Sequence, residues 1–386
     1  MASLISTVTV LGALAAIAVI LHDGFEVLLL PRRVSRDLRL SRIFYITAWK
    51  VWRATARRMR PGKRRNLLLS WFGPPSVILL FSLWATGLIV SFGVIHWAIG
   101  SPLNTPGMQR PGLFEYLYFS GVTFFTLGFG DLTPQEPAGR CLAVAETGIG
   151  FAFLAVVIGY LPVFYQAFSS RERTISLLDA RAGSPPTAGS LLLRLAPGRN
   201  LDALDRFLQE WERFSAEVLE SHLSFPLLSY YRSQHDNQSW LAALTAMLDA
   251  SALTIAGLEG VDPYQAQLTF AMARHTVVDL CQVFHARPIG PEVDRMPADR
   301  LAGLLRELKE AGLDVREGPL ARARLDELRG MYEPFVNALS VYFLLPLPPV
   351  RAEATAVDNW QTSAWMRRTG GIGQIARADP TDVHAD

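Results

Sequence analysis

The stretch Thr123-Phe124-Phe125-Thr126-Leu127-Gly128-Phe129-Gly130-Asp131 decides how this chain is read. Gly128 and Gly130, one residue apart, tolerate a left-handed backbone at alternate positions at the least cost. Alternating handedness turns successive carbonyls to the same side, the arrangement that replaces the hydration shell of an ion. Thr126 adds a hydroxyl at the inner mouth of such a structure. A Gly-x-Gly pair alone marks many turns. Here it follows a mostly apolar run, Phe114 to Phe125, and lies between two long apolar segments.

These residues resemble the potassium channel pore family, whose signature is Thr-x-Gly-Tyr/Phe-Gly-Asp after a short pore helix. The likeness covers residues 70–168. Gly139-Arg140-Cys141-Leu142-Ala143-Val144 resembles the start of the pore-lining inner helix, and Gly150 falls where the family places its gating hinge. The resemblance implies a homotetramer with one pore loop per chain. Its filter would be Thr126, Leu127, Gly128, Phe129 and Gly130, with K+ held by the carbonyls of the first four. No cofactor is implied beyond the permeant K+. Asp131 is expected to anchor the outer mouth through Tyr118, and Phe119 to be the aromatic partner of Phe129. Two departures stand out. Phe129 replaces the commoner Tyr, so the hydroxyl that would bond to the pore helix is absent, and Phe119 offers it no polar group either. Val122 occupies the place where some members carry a carboxylate behind the filter.

Hydropathy bounds the rest. A bilayer span needs ~20 apolar residues. Leu4 to Leu21 (extending toward Leu30), Ser76 to Trp97, and Ala138 to Phe168 meet that length. The second holds no Asp, Glu, Lys or Arg. Leu113 to Phe125 is too short to cross and fits a re-entrant pore helix, with surrounding protein shielding the loop after it. A mean hydropathy of +0.21 places only part of the chain in lipid. The first segment has its charge after the apolar run and no basic residue before it, so a retained helix is expected over a cleaved signal.

Orientation follows from the basic residues. Residues 31–66 carry thirteen Lys and Arg against one acid, Asp37, whereas 98–112 carries only Arg110. The positive-inside rule puts 31–66 and the C-terminus in the cytoplasm of a multi-pass cell-membrane protein, with the N-terminus and filter mouth outside. The net charge of +2 reflects this local excess and points to no nucleic acid. Arg33, Arg36, Arg39 and Arg42 recur at a voltage-sensor spacing. They continue into Lys50, Arg53, Arg57 and Arg60 beside Phe44, Tyr45, Trp49 and Trp52. That pattern fits better an amphipathic helix on the anionic lipids of the inner leaflet, with Asp23 and Glu26 pairing to its arginines. Cys141 and Cys281 fall on opposite membrane sides and form no disulfide.

In the third span Glu146 is an acid within an apolar helix, which marks either a cation-attracting site or a hydrogen bond to the pore helix. Phe151, Leu154, Ile158 and Pro162 share one helical face. With Gly150 they are the candidate gate, and Pro162 is expected to bend the inner end. Beyond residue 170, amphipathic runs at 201–218, 238–257, 263–286, 298–313 and 320–345 predict an all-helical cytoplasmic domain.

The expected fold class is thus an all-α membrane protein. It comprises an N-terminal transmembrane helix (1–30), a basic interfacial helix (31–66), a pore domain (67–170), a helical cytoplasmic domain (171–345) and a disordered tail (346–386). No Gly-x-Gly-x-x-Gly follows a strand, and His275, Asp279, Cys281 and His285 match no zinc spacing. The residues name no enzyme and no ligand for the cytoplasmic domain. The functional expectation is potassium conduction. The alternatives are a nonselective cation channel of the same fold, or a membrane sensor whose cytoplasmic domain carries the function.

Overall fold

Helices account for most of residues 2–28, 39–104, 111–196, 201–233 and 238–351, which are those described by the computed structural model. The readings at Arg33, Arg36, Asp37 and Arg110 and for residues 352–386 lie outside them. Two compact units emerge: Met1–Arg60 with Leu67–Gln166, and Pro61–Asn66 with Ala167–Asp386.

The first unit contains α1 (Ala2–Leu28), α2 (Leu40–Arg57), α4 (Gly73–Ala98), α5 (Leu113–Phe124) and the first part of α6 (Pro137–Ala182); α3 (Lys63–Ser70) precedes α4. Pro74 and Pro75 open α4, where their missing N–H groups have no helical acceptor to lose. Along α1, Ala13, Ile17 and Ile20 are buried while Leu4, Ile5, Val8 and Leu11 stand exposed. Ile78 and Leu79 of α4 and Val144, Phe151 and Ile158 of α6 are likewise exposed. Long apolar helices with outward apolar faces make this a multi-pass membrane protein.

Two expectations about α2 are corrected. Tyr45 and Trp49 are not outward anchors: both are buried, and their rings lie 6.4 and 4.9 Å from that of Phe72. Trp52 donates through Nε1 to the Leu68 carbonyl at 2.9 Å. Among the described residues Asp23 pairs with no arginine. It accepts from the Ser41 N–H (2.9 Å), the Ser41 hydroxyl (2.9 Å) and Trp84 Nε1 (3.0 Å). The physical reason is that the first turn of a helix has unused N–H donors, and a buried carboxylate beside it satisfies them. Glu26 faces His22 at 3.4 Å.

A two-residue antiparallel pair, β1 (Leu103–Asn104) with β2 (Thr133–Pro134), joins the segments flanking α5 and the filter loop. Sequence periodicity gives no sign of it, since two residues are too few to show alternation. The helix α6 contains Pro162 and continues past Phe168 to Ala182. It stops at Gly183, whose φ of 85° is a left-handed helix terminator.

The second unit holds α7 (Ala188–Leu195), α8 (Leu201–Ser224), α9 (Trp240–Gly257), α10 (Tyr264–Val283), α11 (Ala298–Glu310), α12 (Pro319–Gly330) and α13 (Glu333–Phe343). The run at 238–257 is not amphipathic. Every residue of α9 is buried, as expected of a helix apolar on all sides. It is long and apolar enough to cross a membrane, but it is the core of this unit. The run at 320–345 divides in two after Gly330, and Pro334 starts α13. The one acid in α9, Asp249, takes both arms of Arg295 (2.8 and 2.9 Å) and the Tyr332 hydroxyl. Glu333 accepts from Arg295 (3.2 Å) and Arg329 (3.0 Å). Burial alone would lower the Arg295 pKa, but the adjoining Asp249 carboxylate outweighs it and raises the guanidinium above its ordinary value. His275 lies 3.4 Å from Asp279, whereas Cys281 donates to the Phe335 carbonyl at 3.3 Å.

Candidate functional site

The loop from Phe125 to Asp131, the candidate filter, is set by α5. Glu115 reaches back to accept the Gly112 N–H at 2.7 Å, satisfying one donor at the helix start. Tyr116, Phe119, Ser120 and Phe124 are buried. Tyr116 donates its hydroxyl to the Ser101 carbonyl at 2.7 Å. At the other end the Leu127 N–H bonds to Val122 O (2.9 Å) and the Thr126 N–H to Thr123 O (3.1 Å), closing the last turn.

From there the backbone is left-handed at every second residue. Thr126, Gly128 and Gly130 have φ of 57°, 62° and 77°. Thr126 is the departure from expectation. It is β-branched, and a left-handed conformation is costly for such a residue. Nothing local in its sequence announces the strain. Thr126 to Asp131 are all exposed on the single chain, with Leu127 and Phe129 at 55% and 64%.

The outer end is tied by three hydrogen bonds and the β1–β2 pairing. Tyr118 donates to Asp131 Oδ2 at 2.9 Å, the pair read from the sequence. The Gln135 N–H reaches Pro102 O at 2.9 Å, Arg140 Nε reaches Pro134 O at 3.1 Å, and Leu103 pairs with Pro134. Phe119 and Phe129 are not brought together within the chain. Phe119 stands edge-on to His96, 5.2 Å between centroids, in a cluster with Leu103 and Tyr116. The outward side of α5 belongs to Tyr118, and the opposite side packs on α4.

Behind the filter, Glu146 is fully buried and bonded to the Ser120 hydroxyl, which also contacts Ile89 O at 2.7 Å. Of the two readings of Glu146, the hydrogen bond to the pore helix is the one the geometry contains. Gly150 is buried too. A Cβ there would land on the Phe124 carbonyl oxygen and lie 2.9 Å from its carbon. The glycine thus admits the end of α5 against α6, a close approach that its place as a hinge does not announce. Glu146, Gly150, Tyr160 and Phe164 form a buried stripe of α6. Phe151, Ile158 and Pro162 lie on another face and are exposed, with Leu154 half-buried between. Gly150 and the Leu154–Ile158 face are therefore separate features of one helix.

Comparisons with known proteins agree with this geometry. Residues 77–167 match the family model described as ion channel. The chain is similar to the uncharacterized membrane protein YdjJ of Bacillus subtilis (strain 168), 25% identical over 239 residues, covering 61% of this chain and 69% of that one. It is also similar to protein LctB of Geobacillus stearothermophilus, 32% identical over 92 residues, or 24% of this chain and 65% of that protein. Two pore potassium channel c of Oryza sativa subsp. japonica is 30% identical over 86 residues, 22% of this chain and 18% of the plant protein. No solved structure matches the chain. A re-entrant helix and a glycine-bearing loop, held between two apolar helices and matched over that same span, make residues 77–167 an ion-channel domain of the two-helix, potassium-channel type.

Proposed function

We propose that four copies of this chain surround one axis and conduct K+ passively through a filter of Thr126, Leu127, Gly128, Phe129 and Gly130. The observation that carries this reading is the left-handed backbone at Thr126, Gly128 and Gly130 in one run. A chain alternating in this way presents carbonyls of neighbouring residues to a single ion, and four chains complete the coordination shell. The exposure of residues 126–131 on one chain fits a surface that lines a shared axis. Tyr118 and Asp131 hold the outer mouth, while Glu146 with Ser120 supports the pore helix from behind. The test is the reversal potential of the purified protein in liposomes under opposed K+ and Na+ gradients. A potential near the potassium limit is expected. One near zero would leave a nonselective channel of the same fold, a reading that the absent hydroxyl at Phe129 favours.

The basic residues of α2 and its C-terminal end, with Lys50, Arg57 and the following Arg58 exposed, support contact with anionic lipid on the cytoplasmic face. This orientation has a direct check. Single cysteines introduced at positions 2, 50, 105 and 375 should label from outside at 2 and 105 and from inside at 50 and 375. Labelling of 50 and 105 from one side would overturn it.

For the gate, the exposed face of Phe151, Ile158 and Pro162 would converge with its copies below the filter. Narrow apolar rings stop ions by dewetting. Ile158→Asn should wet the ring and raise open probability in single-channel recordings of assembled tetramers. An open probability no higher than that of the unaltered protein would remove the gate from this face.

A further inference from the structure

A cavity of about 390 Å3 lies in the second unit, between α9, α11 and α12. We infer that it binds a small amphipathic anion: an apolar ring or short chain bearing one carboxylate-type charge. The inference is independent of whether the pore conducts.

Its floor is apolar. Leu253 and Ala256 of α9, Leu301 of α11 and Leu325 of α12 line it and are buried. Its volume falls at the lower end of the range for small-molecule sites, about 300–1,000 Å3. The rim is basic. Arg306, Arg316 and Arg322 border the opening with a single acid, Glu317. Arg322 is engaged by Asp326 at 2.9 Å, and Glu317 by Lys309 at 3.3 Å. Arg306 and Arg316 have no carboxylate within ion-pair distance among the described residues. Gly318 and Ala321 also border the cavity, so the first turn of α12 opens onto it, and that turn contains no acid. The N-terminal end of a helix carries partial positive charge.

Three sources of positive potential thus surround an apolar floor. An apolar molecule would fill the space but leave the guanidinium groups unmatched. A small hydrophilic anion would meet the charge but leave the floor wet. A molecule with both parts satisfies both, and a guanidinium binds a carboxylate through paired hydrogen bonds.

The full-length protein in lipid nanodiscs is titrated with naphthalene-2-carboxylate, with naphthalene-2-carboxamide as the neutral control and empty nanodiscs subtracted. Saturable binding of one carboxylate per chain is expected, at least tenfold tighter than the carboxamide. The double variant Arg306→Gln with Arg316→Gln, both at exposed positions, should lose that preference and keep carboxamide binding. Ala302→Trp should fill the cavity and abolish binding of both probes, with thermal unfolding unchanged. Absence of saturable binding to the unaltered protein, or a carboxylate preference that survives the arginine double variant, would overturn the proposal. So would binding that appears only after residues 352–386 are removed, since the chain's own tail would then be the occupant.

Discussion

Gly128→Ala is expected to abolish potassium flux through reconstituted protein while leaving expression and assembly intact. Gly128 has φ of 62°, and a Cβ added there would meet no atom within 4 Å, so the penalty is conformational and not a clash within the chain. A left-handed residue with a Cβ costs about 1–2 kcal/mol. In the proposed fourfold assembly this cost recurs in every copy, at the loop whose carbonyls would line the axis. The nearby Thr126 already bears a comparable cost at φ of 57°, so the loop has little tolerance for a second such residue. Flux is read in liposomes under a potassium gradient, and assembly by size-exclusion chromatography. Unchanged flux and selectivity in the assembled variant would remove residues 126–130 from the conduction path.

The second large effect is on stability. Asp249→Ala should destabilise the C-terminal unit by about 3–5 kcal/mol, because a buried guanidinium then loses the carboxylate that takes both its arms. Arg295 is nearly buried, and Tyr332 is fully so. Tyr332 loses its acceptor, and Arg295 keeps only Glu333 at 3.2 Å and the Pro348 carbonyl at 3.0 Å. For a unit of this size the midpoint of thermal unfolding should fall by about 6–20 °C. The fluorescence of Trp211 and Trp240, both buried in this unit, follows the transition. Asp249→Asn keeps an acceptor and should lose less. A midpoint within about 1 °C of the unaltered protein, below the ~2–4 °C expected for ~1 kcal/mol in a unit of this size, would mean that the network is energetically neutral.

The pore was legible in the chain because its determinants are local. Apolar length fixes α1, α4 and α6, and the short run from Leu113 to Phe124 fixes α5. The spacing of Gly128 and Gly130 anticipates their positive φ, and Tyr118 falls where it meets Asp131. Pro74 and Pro75 mark the start of α4 through backbone chemistry that needs no neighbour.

What could not be read depends on partners distant in sequence. Ser120 and Glu146 are 26 residues apart, Asp23 and Trp84 are 61 apart, and Asp249 and Tyr332 are 83 apart. A carboxylate in an apolar helix announces that it needs donors, but not which ones arrive. Arginines nearby in sequence were the natural guess for Asp23, and the free N–H donors at the start of α2 took it instead. The run at 238–257 reads as amphipathic, yet α9 is buried on every side, because polar residues such as Asp249 and Thr245 find partners within the fold. Gly150 makes the same point at atomic scale. Its identity follows from the family's pattern, but the Phe124 carbonyl that forbids a Cβ there is brought to it by the packing of α5 on α6.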